Sequence, residues 1–272
     1  MQPHKVEPPE ELRDAIKGFW YTRIDFGASP ASFEILPDGD AEIIFHFGSP
    51  CSVASQGSLR PLPSPVLMGL LNQPVLLHAQ NQLEVIGVKC FPWTVFELLG
   101  LPAGKDSVRT FEHPIARLQT TLATHMRAGR VAAALAEVQQ YFLAARSRVA
   151  HDSTLGKAGR AMQQAHGTLP VSQVAAAAHA TVRTLERKFK QAAGYTVKDV
   201  SGLMRFEQVR NYLWLNPRAS LAGLAPELGY TDQAHLSREF KRYSGTTPAA
   251  FARKAASGQR AIPSDFVAFV QA

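Results

Sequence analysis

The stretch GYTDQAHLSREFKRYSGTTP, Gly229 to Pro248, sets His235, Arg238, Lys241 and Arg242 around a short segment whose apolar residues Leu236, Phe240 and Tyr243 recur at helical spacing. One stripe is therefore buried, and the basic residues must face something else. The same pattern occurs earlier, in HATVRTLERKFKQAAGYT, His179 to Thr196. At an offset of 51 residues Leu185 meets Leu236, Arg187 meets Arg238, Phe189 meets Phe240, Lys190 meets Lys241 and Gly194 meets Gly245. The chemistry available to such a face is hydrogen bonding and charge pairing. Arginine can bond bidentately to guanine O6 and N7, and glutamine to adenine, each worth about 1–3 kcal/mol of discrimination.

The elements that position these residues follow from local signals. Ahead of each copy lies a short apolar stretch, SQVAAAA and SLAGLAPEL, for which Ser172 and Ser220 are the expected N-caps. The small residues Ala175, Ala176, Ala222 and Ala225 allow a close approach between helices. Thr231 is the expected N-cap of the second basic helix with Asp232 in its first turn, and Gly245 its left-handed C-cap. Helix, tight turn and basic helix, twice, is the helix-turn-helix arrangement. Between the copies, VKDVSGLMRFEQVRNYLWLN carries Val200, Leu203, Met204, Val209 and Leu213 on one face and reads as a single connecting helix. Some 18 residues at 1.5 Å each span about 27 Å, near the roughly 34 Å between major-groove faces one turn apart on DNA. Two features disturb the symmetry. Pro226 removes a donor from the third short helix, and His179 stands where the second turn has Gly229, so that it is left-handed or the turn differs.

Charge is distributed accordingly. The chain of 272 residues carries a net +7, with 13 basic against 14 acidic residues up to position 149 and 16 against 8 beyond it. A field confined to one half favours a polyanionic partner, nucleic acid before anionic membrane. Residues 31 to 99 contain short apolar runs broken by Gly and Pro, SFEILPDG, AEIIFHFG, SPVLMGLL, QPVLLHA and LEVIGVKCF, which read as strands. WTVFELLG reads as a short helix stopped at Gly100 and Pro102, and 115–127 and 130–146 as longer ones. Val131, Leu135, Val138 and Phe142 form a stripe that is either internal packing or a dimer seam. The polar break ARSRVAHDST marks a boundary. The fold class expected is α+β: a β-rich sandwich or barrel-like domain with helices over 1–146, an all-α domain of two helix-turn-helix units joined by a connecting helix over 150–257, and a tail, 258–272, whose Phe266, Phe269 and Val270 at helical spacing pack back on the protein.

Other chemistry finds less support. Cys51 and Cys90 are isolated, consistent with a reducing compartment and with neither a disulfide framework nor a zinc cluster. Neither a P-loop nor a G-x-S-x-G or H-E-x-x-H pattern occurs. Asp38, Asp40, Glu42 and His46 suggest a metal-dependent cupin-type site, but a solvated turn followed by a strand histidine is the plainer reading. Phe33, Ile44, Phe45, Phe47, Phe91 and Trp93 could line an apolar pocket or simply form β-core. No apolar leader or membrane-length stretch is present, so a cytoplasmic protein is expected.

Residues 155–254 resemble the DNA-binding domain of AraC-type transcriptional regulators, most plainly in LGYTDQAHLSREFKRYSGTTPAAFAR. ILPDGDAEIIFHFG, MGLLNQP and IGVKCFPW are similar to a domain of unassigned ligand found ahead of such units. The resemblance implies sequence-specific binding of double-stranded DNA near promoters, in the manner of a transcription activator and as a homodimer, without a cofactor or catalysis. It also implies an N-terminal sensing domain, so that a small-molecule effector and RNA polymerase stand as further candidate partners. Carried over by position, it assigns Arg183, Thr184, Glu186 and Arg187 in the first helix and Gln233, Ala234, Ser237 and Arg238 in the second to base edges. Arg187 and Arg238 could equally touch phosphate. Thr181, Lys188, Lys190, Lys241 and Arg242 are assigned to phosphates, and an effector pocket to Phe33, Phe45, Phe47, Phe91 and Trp93. The alternative is a small-molecule-binding cupin-like module, or a metal-dependent enzyme, carrying a basic domain without sequence preference.

Overall fold

The computed structural model describes residues 4–55, 57–101, 104, 108–148, 153–221, 223–256 and 268–271. The N-terminal half is built from β1 (His4–Val6), β2 (Ile16–Asp25), β3 (Ala31–Ile35), β4 (Ala41–Gly48), β5 (Ser52–Ser55), β6 (Ser58–Pro61), β7 (Val66–Met68), β8 (Val75–Ala79) and β9 (Gln82–Cys90). It continues through α1 (Thr94–Leu99), β10 (Val108–Arg109), α2 (Leu118–Arg127) and α3 (Val131–Arg146). The helical half comprises α4 (Thr154–Gln164), α5 (Val171–Ala177), α6 (Val182–Ala193), α7 (Val197–Leu215), α8 (Leu224–Glu227), α9 (Gln233–Ser244) and α10 (Pro248–Ala256). A last strand, β11 (Ala268–Gln271), returns to the N-terminal half. The α+β architecture expected from the sequence is thus present. No described helix is long and apolar enough to cross a membrane.

The strands form two sheets, one in the order β1-β2-β9-β4-β7-β10 and the other β11-β3-β8-β5-β6. Strand alternation explains why β4, AEIIFHFG, is an almost unbroken apolar run. Ile44 points into the core between the sheets, whereas Ile43, Phe45 and Phe47 point to the opposite face, covered by α1, α2 and α3. A central strand buried on both faces has no reason to alternate in polarity. Leu135, Val138 and Phe142 are buried beneath that same face, so the α3 stripe is internal packing.

The helical half has a separate core that reaches across to Leu36, Leu70, Phe91 and Trp93 of the β-domain. Trp93 is 1% exposed, stacks on Phe91 at 5.5 Å between ring centroids and meets Phe189 of α6 at 5.7 Å. Gly159 in α4 leaves room for that indole, because a Cβ there would overlap it.

Several local expectations change. The tail is not helical over its described part: β11 pairs antiparallel with β3, Val270 opposite Phe33, so an open sheet edge took it as a strand. Phe266 lies outside the described residues, as does Ala222. Helix α5 begins at Val171 after Pro170, which puts Ser172 inside the first turn, and α8 begins only at Leu224, beyond Ser220. Asp232 rather than Thr231 caps α9, its carboxylate accepting from His235 N at 2.6 Å. The turn of the second unit is one residue longer than that of the first, which moves the cap.

The two irregular positions resolve simply. Both short helices end in the same double-bonded turn: His179 N donates to Ala176 O and Ala180 N to Ala175 O in the first unit, and Gly229 N to Pro226 O and Tyr230 N to Ala225 O in the second. His179 is left-handed at φ 50°, matching Gly229 at φ 73°. Pro226 limits α8 to four residues but leaves its terminal turn intact.

Candidate nucleic-acid interface

The interface is assembled from two helices that bury the same positions. At the offset of 51, Leu185 and Phe189 of α6 and Leu236 and Phe240 of α9 are all 0% exposed. The residues between them repeat the same sequence of exposed and half-buried states from Val182 to Lys190 and from Gln233 to Lys241. Each helix is capped at both ends, by Thr181 and Gly194 in one and by Asp232 and Gly245 in the other. Caps fix where each helix starts, and the paired Leu and Phe fix its rotation about its own axis.

Exposed on the outer faces are Arg183, Arg187 and Lys190 of α6 and Gln233, Ala234, Arg238, Lys241 and Arg242 of α9. Thr184, Glu186, Lys188 and Ser237 are half-buried beside them. The structure therefore groups the sequence-derived positions on two outer faces, and several have defined local partners. Thr181 accepts from Thr184 N at 3.2 Å and donates to the Thr184 hydroxyl at 3.0 Å. One carboxylate oxygen of Glu186 accepts from Val197 N at 3.2 Å, which ties α6 to the start of α7. Lys188 lies within electrostatic reach of Glu97 on α1. Arg242 is 3.8 Å from Asp199 with its side chain 64% exposed. His235 accepts from Thr231 N and sets its ring edge-on to Tyr230 at 5.3 Å, so it belongs to the turn.

Val182 is a position the sequence reading passed over. It is 43% exposed and stands at the register position of Gln233. The repeat itself carried that signal, since 182 and 233 differ by the same 51 residues.

The connecting helix holds the two faces together. Arg205 on α7 donates to Glu239 on α9 at 3.1 and 3.2 Å, to Gly167 O at 2.8 Å, and lies over the Tyr230 ring. Burial pushes the Tyr230 phenol well up, with the Glu239 charge adding to it. Thr196 and Asp199 form a reciprocal cap at the start of α7.

Helix α7 also meets the β-domain, at the residues that suggested a metal site. The turn at Asp38 to Asp40 is not solvated. Asp40 is 1% exposed and pairs with Lys17 at 2.6 Å and Lys89 at 3.2 Å, while Asp38 pairs with Lys89 at 3.1 Å. Arg210 of α7, 2% exposed, donates to Pro37 O at 2.9 Å, and Gly39 lets the turn approach Met204. Burial alone would raise Asp40 and lower Lys89, but the opposite charges win. Lys17 and Lys89 hold the Asp40 carboxyl below its usual range, and Asp38, Asp40, Glu207 and Glu42 hold Lys89 above its own. The two ammonium groups supply the positive charge that a cation would have brought. His46 lies apart, its Nε2 3.1 Å from both Leu62 O and Pro63 O, and burial lowers its pKa against those two bonds.

The five aromatic residues assigned to an effector pocket do not converge. A cavity lies between the sheets, lined by Trp20, Phe33, Ile44, His46, Leu77 and Val85 among others. Only Phe33 of the five lines it. Phe45 and Phe47 face the helices on the other side of the sheet, and Phe91 and Trp93 belong to the core shared with α6. Cys51, also on the cavity wall, has its thiol pushed up to about 12 by burial.

Residues 174–254 match a family described as a helix-turn-helix domain, and residues 4–107 match a domain of unknown function (DUF6597). No curated protein matches the chain. Among solved structures, ToxT from Vibrio cholerae O395 is similar at 10% identity and a TM-score of 0.47, over 88% of this chain and 98% of that one. ToxT from Vibrio cholerae strain SCE256, bound to an unsaturated fatty acid, is similar at 9% identity and 0.47, over 86% and 94%. The AraC-like transcriptional activator CuxR is similar at 12% identity and 0.28, over 80% and 94%. The chain thus carries a match to a domain of unknown function ahead of a match to a helix-turn-helix domain, an order that supports a DNA-binding transcriptional regulator.

Proposed function

We propose that α6 and α9 enter successive major grooves on one side of promoter DNA and read its sequence. The observation that carries this reading is the residue-by-residue match in burial between the two helices, which gives each the same anchored core face and the same free outer face. The 19 residues of α7 span about 28 Å at 1.5 Å per residue, a separation suited to grooves about 34 Å apart. Arg183, Arg187 and Arg238 make no ion pair among the described residues, which leaves their guanidinium groups for guanine or phosphate. Gln233 pairs with adenine, with Thr184, Ala234 and Ser237 beside the base edges. Glu186 keeps its second carboxylate oxygen for a cytosine amino group. Thr181, Lys188, Lys190, Lys241 and Arg242 bind phosphates, Lys188 from the side nearer α1.

The sensing region in this reading runs to residue 146 and the DNA-binding region begins at 150. Its ligand is an uncharged apolar molecule held between the sheets. The cavity walls are almost wholly aliphatic and aromatic, and His46 already uses its ring nitrogen on two carbonyl groups. A panel of uncharged aromatic compounds read through Trp20, on the cavity wall, tests this part; Leu77→Trp should abolish any response.

The central experiment is incubation of the full-length protein with a fragmented genomic library at near-physiological salt, followed by sequencing of what stays bound. A shared motif with two half-sites about one helical turn apart is the expected result. Equal recovery of all fragments would refute sequence-specific reading by the unliganded protein.

A further inference from the structure

Helices α6 and α9 match in burial but differ in chemistry at their first residue. Val182 and Gln233 each follow the capping residue, and both are exposed. An isopropyl group 43% exposed at this point does nothing for the helix, since a β-branched residue is a poorer helix former than alanine and the packed face lies at Leu185 and Phe189. The β-domain does not cover it either: α1 meets α6 on the side of Phe189 and Lys188. Arg183, Arg187 and Lys190 are exposed on the same helix, so its outer surface suits a polyanion.

In a major groove the N-terminal residues of a recognition helix are those that reach base edges, and the apolar group displayed there is the thymine 5-methyl. We propose that Val182 selects thymine by closing over its methyl group, at the half-site position where α9 selects adenine through Gln233. The two half-sites are then unequal at this position, and the protein distinguishes one orientation of its site from the other. This inference rests on the reading of α6 as a groove-entering helix.

The test uses the full-length protein and the motif recovered from genomic selection. Each thymine of the half-site bound by α6 is replaced in turn by uracil, which removes only the methyl group, and affinity is measured by fluorescence anisotropy. Wild-type protein should lose about fourfold at one thymine, the equivalent of one buried methyl group. Val182→Ala should bind the thymine site about as weakly as wild type binds the uracil site, and should no longer distinguish the two. Val182→Gln should shift the preference at that position to adenine. Alanine is the better helix former at this exposed position, and a thermal melt checks that the variant is folded. Indifference of the wild type to uracil throughout the half-site, or an undiminished penalty in Val182→Ala, overturns the inference. If the second half-site persists and is relaxed at one base position by Gln233→Ala, only the role of Val182 fails; if no motif is recovered at all, the groove-reading assignment fails with it.

Discussion

Trp93→Ala removes the side chain that joins the β-domain to the first helix-turn-helix unit. The indole is 1% exposed and lies between Phe91, with planes 6° apart, and Phe189 of α6. A buried tryptophan takes about 200 Å² out of water, which at ~25 cal/mol per Å² is worth about 5 kcal/mol. That figure uses an extended unfolded chain and is an upper bound, so the range of about 3–5 kcal/mol found for such truncations is the expected loss. The chain has three tryptophans, and the remaining two, Trp20 on β2 and Trp214 on α7, report separately on the two halves. Urea unfolding followed through Trp20 and Trp214 in single-tryptophan variants should give coincident midpoints with Trp93 replaced by Phe and separated midpoints with Ala. A loss under about 1 kcal/mol, with transitions still coincident, would refute the claim that Trp93 couples the two halves.

Other expectations follow from local geometry. Gly229→Ala should destabilise by about 2 kcal/mol, from the left-handed conformation and from a Cβ only 2.7 Å from Thr168 Cγ2, whereas His179→Gly should gain about 0.5 kcal/mol; thermal melts showing the same sign for both would contradict the turn assignment. The Asp40 carboxyl is held below its usual range, so its stabilisation is complete above the unfolded pKa of about 3.9 and is lost as pH falls through the lower folded value. The same cluster raises Lys17 and Lys89, whose contribution persists through neutral pH and is lost only as pH rises through their folded values, above 10.5. Asp40→Asn should cost about 3 kcal/mol at pH 7 and flatten the acid limb of stability against pH, as read by urea midpoints; an unchanged acid limb would contradict the pairing. Lys241→Ala should weaken all DNA sequences alike and flatten the salt slope by about one unit, while Gln233→Ala should relax one base position; identical behaviour of the two would overturn the division of roles.

Several structural conclusions were legible before any coordinates. Leu185, Phe189, Leu236 and Phe240 are spaced at four residues, and Gly194 and Gly245 follow them at equal intervals, so helix, buried face and C-cap could be read from one short window each. Val182 was equally available from the repeat, because register is a property of the sequence alone. The cap of α9 was not, since one extra turn residue moved it from Thr231 to Asp232.

By itself the sequence determined the tandem units, the confinement of positive charge to the second half and the β-rich character of the first, because each depends on composition or on contacts within a few residues. Tertiary structure alone decided which face each apolar strand residue would take. Phe33 reached the cavity while Phe45 and Phe47 went under the helices, since β4 is buried on both sides and its polarity does not alternate. It also turned Asp38 and Asp40 from an apparent solvated turn into a buried charge cluster against α7. The counter-charges come from Lys17 and Lys89, on strands remote in sequence from Glu207 and Arg210. Pairing across that distance depends on how the chain folds back on itself, and a one-dimensional pattern holds no record of it.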